Sequence, residues 1–205
     1  DEFPEFERRV IDSLRQPLED KVVSISRAKG TAIFPADFIL VAAMNPCPCG
    51  YWGVKGKPCI CNPAAIQRYQ RKISGPIIDR IDMWLEVSKV EHDKLATKDL
   101  GEKSETVRMR VTKARDIQKK RFQTSQSPIK LNSHMSAKDL IRHISLLPDV
   151  KTILDTSAIH LDLSARSYHR LIKLARTIAD LEGSTEITTS HILEALQYRP
   201  KRQFI

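Results

Sequence analysis

Residues 38–45 read FILVAAMN, an apolar run with no polar interruption before its last residue. An amphipathic helix or a half-buried strand would interrupt such a run within a few positions, so both of its sides need covering. The pattern predicts a strand buried in a parallel sheet between helices, with functional side chains at its C-terminal end. MWLEV at 83–87 predicts a companion strand. Two further β-prone runs, VVSIS at 22–26 and TAIFP at 31–35, are separated by Arg27, Ala28, Lys29 and Gly30. They predict a hairpin with a basic tip.

The remaining segments have helical period. Phe6, Val10, Leu14 and Leu18 recur at helical spacing within 4–18, with Pro4 suited to a first turn and Pro17 near the end. PAAIQRYQRKI at 63–73 predicts a second helix, and GPIIDRID at 75–82 a helical turn leading into the 83–87 strand. The polar, aperiodic stretch 88–103 marks a boundary. Helices are expected beyond it at 104–122, 136–144, 148–158, 164–182 and 188–198, with Ser164 and Thr188 as caps. The 104–122 helix is strongly basic around a narrow stripe of Val107, Val111 and Ala114, whereas Leu171, Leu174, Ala175 and Ile178 mark the packing face of 164–182. The fold class is α/β followed by an all-α bundle, divided as 1–90, a linker at 91–103, and 104–205.

A formal charge of +9 and a pI near 9.5 favour polyanionic partners. No apolar run approaches the roughly 20 residues of a membrane span, so a soluble protein with no membrane partner is expected. All four cysteines fall between 47 and 61, in a chain without a secretion signal, which points to a reducing cytoplasm. They form two Cys-x-Cys pairs, Cys47 with Cys49 and Cys59 with Cys61, on either side of a loop containing Gly50, Gly53 and Gly56. Four soft ligands suit a tetrahedral structural Zn²⁺; reduced thiols and two disulfides are the alternatives. Candidate nucleic-acid contacts are Arg27 and Lys29 at the hairpin tip, the segment Arg68 to Lys72 with Tyr69 interleaved, and the basic helix 104–122. Residue pattern alone makes Asn45 a turn residue before Pro46, Arg80 a surface ion-pair partner of Asp79 or Asp82, and Arg166 part of a solvated basic face with Arg170 and Lys173.

The opening DEFPEFERRVIDSLRQPLED followed by VVSISRA, the strand end AAMNPCPCG, the run SGPIIDRID and the helix LSARSYHRLIKLARTIADLEG together resemble the magnesium-chelatase-like AAA+ ATPases over nearly the whole chain. The cysteine cluster and the SGPIIDRID continuation are similar to the ComM-type bacterial subgroup. The resemblance implies the C-terminal part of a P-loop ATPase core, an incomplete parallel sheet with helices, followed by a helical lid. It implies that Asp1 and Glu2 close the Walker B strand, Asp1 toward the Mg²⁺ hydration shell and Glu2 toward the attacking water. It likewise implies a sensor role for Asn45, an arginine finger reaching a neighbouring subunit's ATP for Arg80, and a second sensor for Arg166. For the hairpin it implies a place at the pore of a hexameric, ATP-driven DNA branch-migration motor acting in natural transformation. A metal-insertion subunit of the magnesium chelatase kind, or a zinc-binding interaction module without enzymatic activity, are the other readings. No GxxxxGK[ST] run occurs in the 205 residues and the first residue is Asp1, so the chain reads as a cut that does not hydrolyse ATP alone.

Overall fold

The computed structural model of the chain describes residues 1–54, 56–87, 101–123 and 129–200. It separates into two compact units. The first comprises Asp1–Ile81 with 86–87 and Pro200, and the second Asp82–Leu85 with the described residues of 101–199. The linker expected at 91–103 lies outside the described residues except at 101–103.

In the first unit a 3₁₀ turn at Phe3–Glu5 precedes α1 (Arg8–Ser13) and α2 (Arg15–Asp20). The single helix expected over 4–18 is thus divided. Pro17 has no N–H for the Ser13 carbonyl and its ring crowds that carbonyl, so the break falls at Leu14. The division also rotates the buried face: Ile11 and Pro17 are buried, while Phe6 and Val10 are about half exposed. β1 (Val22–Arg27) and β2 (Gly30–Pro35) pair antiparallel with Arg27 opposite Gly30, leaving Ala28 and Lys29 as a two-residue turn. Gly30 at φ 140° adopts a conformation that L side chains resist.

The parallel sheet is the main difference from expectation. Residues 38–45 and 83–87 carry no ladder, and the two strands of the hairpin are the whole sheet among the described residues. Ile39 and Val41 are 84% and 87% exposed, because no described strand lies beside them. One main-chain bond touches the run, from the Phe3 N–H to the Ala43 carbonyl at 2.9 Å. Two short helices follow, α3 (Pro63–Gln70), capped by the Asn62 side chain on the Ala65 N–H, and α4 (Gly75–Ile78). Tyr69, Ile73, Ile77 and Ile78 are buried.

The second unit is helical: α5 (Ser104–Gln123), α6 (Ala137–His143), α7 (Pro148–His160), α8 (Ala165–Glu182) and α9 (Thr189–Gln197). Ser164 accepts from the Ser167 N–H as an N-cap, and Thr188 occupies the N-cap position of α9, where its own N–H donates to His191 Nδ1. The core gathers Phe122, Leu140, Val150, Leu154, Leu171, Ala175, Ile192 and Ala195. α5 reaches it through Phe122, and its other buried residues, Ala114 and Gln118, also lie in its second half. Val107 and Val111, expected in the stripe, are 37% and 41% exposed. Among the described residues no helix is long and apolar enough to cross a membrane.

Candidate functional site

Cys47 follows the 38–45 run, and the Gly50 N–H bonds back to the Cys47 carbonyl at 3.0 Å. That turn, with Gly50 at φ 79°, folds the second thiol onto the first. The Cys47 sulfur lies 3.4 Å from that of Cys49 and 3.7 Å from that of Cys59, and Cys49 and Cys59 are 3.5 Å apart. All four sulfurs, Cys61 included, fall within 4.8 Å of one another. Thiolates about 2.3 Å from a zinc at tetrahedral angles are about 3.8 Å apart. The separations therefore fit one metal, and the four cysteines are free rather than paired as disulfides.

The main chain is arranged for thiolates. The Trp52 N–H donates to Cys47 Sγ at 3.3 Å. A main-chain N–H at Tyr51 draws the Cys49 thiol down to about 6, against the effect of burial. At Cys59 an N–H from Cys61 also favours the thiolate, but burial and the crowding of the neighbouring sulfurs outweigh it and push the thiol up to about 12. Burial, the largest influence, raises Cys61 as well. Without a cation the four thiols cannot all ionise, and a bound divalent ion removes that conflict.

Tyr69 links this cluster to the chain's first residues. Its ring is 6% exposed, and burial raises its phenol, helped by the nearby charges of Glu5, Cys47 and Glu2 and opposed by a hydrogen bond with the Asn45 main chain. The Asn45 main chain is thus in hydrogen-bond reach of the Tyr69 hydroxyl, which also feels the charges of Cys47 and Glu2. Asp1 and Glu2 are exposed, with the Glu2 N–H on Asp1 Oδ1 at 2.8 Å. The Asn45 amide lies over the turn, where a Cβ on Gly50 would meet its Oδ1 at 3.8 Å. Tyr69 is consequently no platform for a nucleic-acid base, contrary to the expectation for Arg68 to Lys72. Its burial could have been read from Ile66, Tyr69 and Ile73, which share a helical face.

Arg80 stands apart from that group. Its Nε donates to the Arg15 carbonyl at 3.0 Å and lies 3.3 Å from Glu19 Oε2, and its Nη1 donates to the Pro76 carbonyl at 2.8 Å. The side chain is 13% exposed. Asp82, one of the two acids flanking it, accepts from Arg170 Nη1 at 2.6 Å. No sequence signal marks Glu19 as the partner. Arg166 is exposed in the first turn of α8, and Arg27 and Lys29 are exposed at the hairpin tip.

The family described as magnesium chelatase, subunit ChlI, matches residues 1–95, and its C-terminal counterpart matches residues 101–199. The chain belongs to the magnesium-chelatase-like family. Among curated proteins it is 44% identical to the competence protein ComM of Haemophilus influenzae and 41% identical to the protein YifB of Escherichia coli K12, each across 97% of this chain. It is 33% identical to the protein Rv2897c of Mycobacterium tuberculosis H37Rv, again over 97% of its length. It spans 38% to 39% of the length of these relatives. As a magnesium-chelatase-like chain it carries its acidic pair, the residues around Tyr69 and the cluster of four cysteines in the first unit, and Arg166 in the second.

Proposed function

We propose that this chain is the C-terminal part of an AAA+ ATPase core with its helical lid, working in a hexamer that remodels DNA by branch migration. The observation that carries the reading is the Phe3 to Ala43 hydrogen bond within a magnesium-chelatase-like chain. It seats the acidic pair beside the run that ends in Asn45, as adjacent strands of an ATPase sheet would. In this reading Asp1 and Glu2 offer hard carboxylate oxygens, the donor type Mg²⁺ takes, and Glu2 orients the attacking water. Asn45 senses the γ-phosphate, and Arg166 approaches the nucleotide from the lid. Arg80 serves a neighbouring subunit's ATP, for which it leaves Glu19 and the Arg15 carbonyl. The guanidinium suits that task because its charge spreads over several phosphoryl oxygens.

Cys47, Cys49, Cys59 and Cys61 hold a structural Zn²⁺, whose contribution is to fix the loop between the 38–45 run and α3. Arg27 and Lys29 contact DNA, in keeping with the chain's net charge of +9 and with the name of its ComM relative. The family description, magnesium chelatase, favours a second reading as a metal-insertion subunit. A metal-insertion subunit would have no use for DNA, so a DNA-stimulated ATPase separates the two.

The test uses the complete protein carrying this segment. Arg80→Ala and Glu2→Gln subunits should each lose ATPase activity by at least about a hundredfold. Mixing them should restore a substantial fraction, because some sites in mixed rings join an intact Glu2 to a neighbour's intact Arg80. Mixed rings as inactive as either parent would overturn the trans role, and unaltered activity in Arg80→Ala would overturn the finger itself. This chain alone should show no ATP hydrolysis, having no GxxxxGK[ST] cradle in its 205 residues.

A further inference from the structure

A groove of about 430 Å³ lies in the first unit, lined by Arg8 from α1 and by Ala64, Gln67, Arg68, Arg71 and Lys72 from α3 and its end. Ala64, Gln67, Arg68 and Arg71 follow the spacing of one helical face, so their placement is built into α3. Ala64 is the small residue of that face, and its short side chain leaves the floor open between the long cationic ones.

The charge of the groove is not neutralised from within. Glu5 is taken by Lys72 at 3.2 Å. Asp12 accepts from Arg15 and Ser74, each at 2.8 Å, and stands 3.7 Å from Arg8. Ser74 first, then Arg15 and Arg8, hold its carboxyl below the usual range, so it stays anionic and committed to those partners. Among the described residues, Arg68 and Arg71 have no hydrogen-bond or ion-pair partner, and both are exposed. Four cations thus meet two carboxylates already engaged, and two exposed arginines line an open concavity.

That chemistry selects a chain of phosphates. A nucleotide base would need an apolar or aromatic platform, and no aromatic side chain lines this groove. Gln67 adds an uncharged donor suited to phosphate or sugar oxygens, and no lining group reads a base edge in a fixed geometry. We propose that this groove is a binding site for the phosphodiester backbone of a nucleic-acid strand, distinct from the hairpin tip. The proposal rests on the reading of this chain as a DNA-working protein and adds Arg8, Arg68, Arg71 and Lys72 to its contact surface. Because Asn62 caps α3 one residue after Cys61, the cysteine cluster anchors the helix that presents three of the four cations.

The test is equilibrium binding of a fluorescent oligothymidine 20-mer to the 205-residue chain across a salt series. The Arg68→Gln/Arg71→Gln pair should weaken binding at least tenfold near 100 mM salt. It should also lower the slope of log K against log salt by about 1.4, from about 0.7 per phosphate contact on a single strand. Arg8→Gln/Lys72→Gln, which shares no residue with the first, is a second, independent pair with the same expectation. Lys138→Gln/Lys151→Gln, on exposed positions of the second unit, matches the charge change and should alter binding less than twofold. If the wild-type chain does not bind, the DNA reading fails and the groove with it. If the wild type binds and the Arg27→Gln/Lys29→Gln variant is weakened while both groove pairs keep affinity and slope, the groove proposal alone is overturned. An equal loss in the Lys138/Lys151 control overturns it too, since net charge would then account for the effect.

Discussion

Asp180 has a fully buried side chain and faces two arginines. Arg121 binds both of its oxygens, Arg176 Nε donates to Oδ1 at 3.0 Å, and Asn132 Nδ2 to Oδ2 at 2.8 Å. Arg176 is itself buried and spends its other donors on the carbonyls of Ser184 and Thr185, at 2.6 and 2.9 Å. Burial lowers the Arg176 pKa, Asp180 opposes that, and Arg121 adds to it. Removing the one negative charge would leave two cations facing each other at the edge of the core. Asp180→Asn should therefore cost about 3–5 kcal/mol in denaturant unfolding, the usual penalty for a broken buried pair. A loss under about 1 kcal/mol would mean that the carboxylate is dispensable. Little of this was legible in the sequence, where Arg176 and Asp180 look like an exposed i,i+4 pair and Arg121 is one basic residue among many. Arg80 is legible only in part for the same reason: the sequence displays the acids beside it but not Arg15 and Glu19, which it contacts from about sixty residues away in the chain.

At the scale of elements, period and punctuation carried most of the information. Helices α6 to α9 lie within two residues of their expected bounds because a 3.6-residue apolar period, caps at Ser164 and Thr188, and Gly183 at φ 82° all agree. α1 and α2 were not separable by period, since the stripe of Phe6, Val10, Leu14 and Leu18 runs through the break that Pro17 imposes. The cysteine segment has no period at all, and its spacing showed four ligands without showing that they converge. Convergence comes from the turn at Gly50 and from α3, which starts immediately after Cys61 and Asn62. The purified protein should accordingly contain a single zinc per chain by elemental analysis. Chelation or Cys59→Ser should lower the melting temperature of the first unit and leave the second unit's transition in place. A metal-free chain with an unchanged melting curve on adding zinc would remove the metal from the picture.

For the whole molecule, the family could be read from motifs spread along the chain, while the sheet could not. Alternation and apolar runs state that a segment wants covering on two faces; they do not state what covers it. In residues 38–45, Phe38, Ile39 and Val41 are exposed, and the single bond from Phe3 leaves the remaining main-chain donors and acceptors of the run without a ladder. FILVAAM contains no charge, no proline and no glycine. Such a stretch pairs readily with a second copy of itself. Light scattering should show the apparent mass of this chain rising with concentration, and Val41→Lys should suppress the rise; a monodisperse monomer at the highest concentrations would refute it. The same seven residues then set a colloidal limit. Heating attacks a fold through its core, but an uncovered apolar segment is adhesive in the native state, so concentration rather than temperature should govern how long this polypeptide stays dispersed.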